Sequence, residues 1–172
     1  MTRICILISF FLINTIEGKT QGYFQEEFPK VWERSTNYTK AIVKAMPEKL
    51  YDFKAYEDGM SFKEQQLHIV DNISFLTNYI TGDFKSFYKK DKLDELNKQQ
   101  VLEILDSAFN YVSVLIENTE TSALSEEIIF KDAEMSKQNI FYLIRSHIIH
   151  HMGQSVFYLR MNNIKAPTYV GW

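Results

Sequence analysis

Apolar residues recur at three- and four-residue spacing along four separate stretches of this 172-residue chain. That period matches the turn of a helix with one buried face, so an all-α fold is expected. In the first stretch Phe24, Phe28, Val31, Trp32, Tyr38, Ile42 and Val43 carry the period to Met46, where Pro47 stops it. The residues from there to Gly59 mix Tyr51, Phe53 and Tyr56 with charges and show no period, as an ordered loop would.

Ser61 and Glu64 have the spacing of a capping box, and Phe62, Ile69, Ile73, Leu76 and Ile80 continue as a second helix to about Thr81, ended by Gly82. A lysine- and aspartate-rich connection, Lys85 to Asp94, leads into Val101, Leu105, Ala108, Val112 and Leu115, a third helix. From Thr119 to Met135 the chain is polar apart from Ile128, Ile129 and Phe130, and reads as a crossover loop with at most one extended piece. A fourth helix is expected from Met135 to Asn162. The tail from Lys165 to Trp172 contains Pro167 and is not helical, but its aromatics should pack against the bundle.

The length suits one domain, and no repeat, low-complexity segment or linker divides it. A net charge of -3 with no long run of like charge offers no basic stripe for a phosphate backbone, so nucleic acid is not an expected partner.

Thr2 and Arg3 precede an unbroken apolar run from Ile4 to Ile13, the layout of a secretory signal peptide spanning residues 1–22. The run is about half the roughly 20 residues that a helix needs to cross a bilayer, so no transmembrane span is expected in the mature chain. Cleavage is expected after Gly18 or near Gln21-Gly22, and the product, residues 23–172, would be periplasmic or secreted. The alternative is a cytoplasmic protein, or one tethered to a membrane by its N-terminus. The only cysteine, Cys5, lies inside the apolar run, so cleavage would leave histidine and carboxylate as the metal ligands available.

The four histidines fall in two places: His68 on the second helix, and His147, His150 and His151 on the fourth. At about 100° per residue, with His147 at zero, Arg145 and Arg160 lie near 160° and 220° and mark the solvent side. His151 lies at about 40°, facing the core with His147, whereas His150 at about 300° falls on the flank. Imidazoles at i and i+4 can converge on one ion, and His68 can supply a third ligand from across the bundle. A lone histidine on an apolar face is usually a satisfied core residue. Three clustered imidazoles are costly to bury without partners, and a shared metal satisfies all of them. The spacing also approaches that of a zinc metallopeptidase helix, but that motif requires glutamate directly after the first histidine, and Ile148 stands there.

The segment His147-Ile-Ile-His-His-Met-Gly-Gln154, continuing through Tyr158 to Ile164 and on to Trp172, resembles the C-terminal signature of the DinB-like family. Trp32-Glu-Arg-Ser, Met46 to Phe53 and Ser61 to Ile69 resemble its first helix, first loop and first-histidine segment, in the same order. The resemblance implies a four-helix bundle with a long crossover and a divalent ion, typically nickel or zinc, on His68, His147 and His151. Met152 stands where many members carry arginine, which puts any contact of that arginine in doubt.

Some members of the family are transferases or isomerases that use a low-molecular-weight thiol such as bacillithiol or mycothiol. Three functions therefore compete. In the first, the ion lowers the pKa of a bound thiol and presents it to an electrophile; an export signal counts against this, because such thiols are scarce outside the cytoplasm. In the second, bound water is the nucleophile of a hydrolase, with Asp71 or His150 as a candidate base. In the third, an exported bundle, monomeric or a homodimer, uses the metal for stability or for sensing metal supply. Tyr79 and Tyr158 flank the ligands by helical offset and read as packing groups. The small-molecule substrate is not legible.

Overall fold

A computed structural model describes residues 17–170, and of residues 17–21 the backbone alone. The expected signal peptide therefore lies largely outside the described residues, as do Cys5 and Trp172. Four helices form the body: α1 (Glu17–Ala45), α2 (Phe62–Thr81), α3 (Lys98–Asn118) and α4 (Lys137–Met161). None of the described helices is long and apolar enough to cross a membrane.

Each helix ends where local chemistry dictates. The capping box of α2 is formed, with Ser61 Oγ accepting from the Glu64 amide and the Glu64 carboxylate accepting from the Ser61 amide. Gly82 closes the same helix at φ 73°, a left-handed position that glycine takes without steric cost. Asn97 and Gln100 cap α3 in the same reciprocal way, a box that the periodic pattern alone does not announce. Helix α1 continues through Pro29, which has no N–H to give the Gln25 carbonyl.

Contacts between side chains set the directions. Trp32 with Ser113 and Lys40 with Asp106 make α1 and α3 antiparallel. Gln66 with Ser155 and Phe62 with Tyr158 do the same for α2 and α4. Phe24 meets Phe141 and Ser35 meets Arg145, so α1 and α4 run parallel. Helices α2 and α3 thus run the same way, and the connection between them must return along the bundle. It does so beside α2, held by Lys90 to Asp71 at one level and by the Asp94 carbonyl to Lys63 at another. The long crossover is this Gly82–Asn97 connection.

The expectation of a crossover between Thr119 and Met135 is corrected accordingly. That segment holds two strands, β1 (Glu127–Phe130) and β2 (Ala133–Ser136), paired antiparallel as a hairpin that feeds α4. The sequence hides it because the turn, Lys131-Asp132, lacks the usual Asn-Gly or Asp-Gly pair, and β2 is poor in β-branched residues. Lys131 takes a positive φ of 54° to close the turn.

The core runs between all four helices, with Trp32, Ile42, Phe62, Ile73, Leu105, Phe141 and Ile148 among its fully or nearly buried side chains. The tail packs as expected: the Tyr169 ring sits edge-on to Tyr38 at 5.5 Å, and Tyr38 donates to the Pro167 carbonyl.

Candidate metal centre

The antiparallel packing of α2 on α4 brings together the three histidines that the helical offsets select. Their ring centroids are 4.4 Å (His147–His151), 4.8 Å (His68–His151) and 5.0 Å (His68–His147) apart. One ligand atom from each lies within 4.8 Å of the others, and the three could hold a metal ion. His151 is buried, while His68 and His147 are half-buried, so the cluster opens to solvent on one side.

The closest approach is Nε2 to Nε2, 3.2 Å, between His147 and His151. Two nitrogens on one tetrahedral zinc at ~2.05 Å would be ~3.3 Å apart, so this pair is spaced for a shared ion. His68 offers its ligand atom within 4.8 Å of the other two.

Burial decides the protonation state. Desolvation, followed by the neighbouring histidine rings, pushes the His147 imidazolium pKa down to about 4 and that of His151 down to about 3. Both rings are neutral at physiological pH and keep a lone pair for a cation. A neutral ring has one N–H, and on His151 its place is fixed: Nδ1 lies 2.6 Å from Gln65 Oε1, an acceptor, so the hydrogen is on Nδ1 and the Nε2 lone pair faces the cluster. In the absence of an ion the Nε2 contact is then a donation from His147 to His151. The His147 Nδ1 is left buried with no partner. With an ion between them, both Nε2 atoms could offer lone pairs, the His147 hydrogen then residing on Nδ1. The neutral rings and the spacing fit a metal.

Gln65 was not legible as a site residue. The signal was its position three before His68, which puts it on the same side of α2, but polar residues at that offset are common and unremarkable. His150 is exposed and takes a contact of 2.7 Å from Gln154, outside the three-residue cluster, as its helical angle indicates. Asp71 is turned to the crossover, 3.0 Å from Lys90 Nζ. Tyr158 is buried and donates to the Met60 carbonyl, tying α4 to the loop before α2. Met152 is buried in the core.

Beyond His68 the same stripe of α2 carries Asn72, Phe75 and Tyr79. The Phe75 and Tyr79 rings form a T-shaped pair at 5.4 Å, and Phe130 of the hairpin closes on both, at 6.2 and 5.1 Å. Phe75 nevertheless remains 42% exposed. The result is an apolar wall on the helix face that holds the cluster.

Fold and site define a four-helix bundle with a three-histidine constellation between its second and fourth helices. The chain belongs to the DinB superfamily, whose family model matches residues 32–155. It is similar to the solved structure of a DinB-like protein from Bacillus subtilis, with a TM-score of 0.66 at 19% identity over 82% of this chain and 96% of that one. A DinB-like protein from Bacillus cereus matches with a TM-score of 0.68 at 16% identity, over 90% of this chain and 97% of that one. No curated protein matches the chain significantly.

Proposed function

We propose that His68, His147 and His151 hold one divalent ion, nickel or zinc, and that the protein uses it to transfer a small thiol to an electrophile. The observation that carries the metal is the pair of Nε2 atoms 3.2 Å apart with His68 beside them and one side open. Three neutral ligands leave a bound ion its full double charge, which lowers the pKa of a thiol or water in the open position.

Thiol is favoured over water by what surrounds the cluster. No carboxylate joins the three histidines among the described residues. Of the two groups that could serve a water nucleophile as base, Asp71 is held by Lys90, and His150, whose ring is 4.9 Å from that of His151, has its Nε2 engaged by Gln154. A thiol, more acidic than water, needs no such base. The Phe75–Tyr79–Phe130 wall favours an apolar electrophile. With residues 1–22 read as an export signal, the thiol must be one available outside the cytoplasm.

Mixing nickel- or zinc-loaded protein with 2-mercaptoethanol or cysteine and 1-chloro-2,4-dinitrobenzene tests the reading. A rate above that of the free thiol, lost in His147→Ala, is expected. A rate equal to the free thiol with every thiol tried overturns the transfer, and metal content in His68→Ala equal to wild type overturns the site.

A further inference from the structure

Three buried side-chain atoms of α2 and α4 lack a hydrogen-bond partner among the described residues: Gln66 Oε1, Asn72 Oδ1 and His147 Nδ1. Buried polar atoms are almost always paired, so such orphans need a physical cause. For His147, tautomer logic says which role the orphan has. Gln65 keeps the His151 hydrogen on Nδ1, so the Nε2–Nε2 contact takes its hydrogen from His147. His147 Nδ1 then bears a lone pair, Asn72 Oδ1 bears lone pairs too, and two acceptors cannot bond.

The register places Asn72 and His147 at the same level of the two helices. Gln65 meets His151, and Gln66 meets Ser155, across antiparallel helices. One turn forward on α2, from His68 to Asn72, therefore matches one turn back on α4, from His151 to His147.

We propose that Asn72 is the positioning residue for His147 in the ion-bound state, its Oδ1 accepting a hydrogen bond from His147 Nδ1–H. When Nε2 of His147 gives its lone pair to the ion, its hydrogen leaves to water and another is taken up at Nδ1, so the ring stays neutral and the proton count is unchanged. The orphaned acceptor then meets a donor. Helix α2 would in this way set one amide oxygen behind each of the two ligand histidines of α4: Gln65 behind His151, Asn72 behind His147. Such outer hydrogen bonds orient a ligand ring and raise its basicity. The assignment rests on the three-histidine metal reading.

Three measurements test it on the full chain. In metal-free protein, ¹⁵N NMR of labelled histidine should show His147 protonated on Nε2; with zinc, on Nδ1. Asn72→Ala should leave the metal-free Tm unchanged or slightly raised, since it deletes an acceptor that bonds nothing. The same variant should bind zinc about 10- to 100-fold more weakly in competition with a chromophoric chelator, and Asn72→Asp, which keeps the acceptor, should not. Wild-type zinc affinity in Asn72→Ala overturns the Asn72 role alone. A metal-free Tm that falls in Asn72→Ala also overturns it, by showing a structural bond. Failure of the wild-type protein to take up zinc overturns the three-histidine reading and this inference together.

Discussion

Gln65 Oε1 and His151 Nδ1 lie 2.6 Å apart in the buried contact between α2 and α4. Because the amide oxygen only accepts, this one bond chooses the His151 tautomer and aims its free Nε2 at the cluster. Gln65→Ala is therefore expected to weaken zinc or nickel binding about 10- to 100-fold. Gln65→Glu, which keeps an acceptor, should retain most of the affinity. Competition titration against a chromophoric chelator reads both, and equal affinity in Gln65→Ala and wild type would show that the bond does not orient the ligand.

The depressed imidazolium values predict a pH dependence for the metal-free protein. The usual histidine value is 6.5, but burial holds His147 to about 4 and His151 to about 3 in the folded chain. Between these limits the unfolded chain binds protons that the folded chain refuses, so stability falls as pH falls from about 6.5 toward 4. Urea unfolding at pH 7, 6, 5 and 4 should show that decline. His147→Gln, which removes one of the refused protons, should flatten it.

Much of this architecture was readable because it depends on local periods and caps. The wheel that puts His147 and His151 on one arc and His150 outside it needs only the helical repeat. The same wheel put Arg145 on the solvent side, yet its Nε donates to Ser35 Oγ at 3.1 Å and the residue is half-buried. A wheel fixes where the Cβ points, whereas a long side chain can bend its head back to a neighbouring helix. The crossover was misplaced for another reason. Its position follows from the relative direction of α2 and α3, a tertiary relationship that no local pattern encodes. Gln65 and Asn72 lay hidden for the same cause: each is an ordinary helical amide until α4 is laid beside it.

Metal binding should appear as stability. An ion that binds the folded chain alone, at 100 times its Kd, adds about 2.7 kcal/mol. For a domain of this size that raises Tm by roughly 5–10 °C. Differential scanning fluorimetry with zinc and nickel, reversed by EDTA, is the measurement. The shift should vanish in His68→Ala, His147→Ala and His151→Ala and persist in His150→Ala. Loss of the shift in His150→Ala as well would mean that the flank histidine is a ligand after all.

Tyr158 separates packing from chemistry. Its ring lies in the core, 6.0 Å from Phe53 and 6.3 Å from Phe62, and its hydroxyl donates to the Met60 carbonyl just before α2 begins. That bond fixes the end of α4 against the start of the helix carrying His68, and the hydroxyl is spent on a backbone oxygen rather than aimed at the cluster. Tyr158→Phe keeps the ring and leaves a carbonyl without its donor, which should cost about 1–2 kcal/mol. Zinc affinity and any thiol-transfer rate should remain within about twofold of wild type at a temperature where both proteins are folded, since the fold is weakened without touching a ligand. A rate lost ten-fold or more with Tm and zinc affinity intact would instead place the Tyr158 hydroxyl in the chemistry.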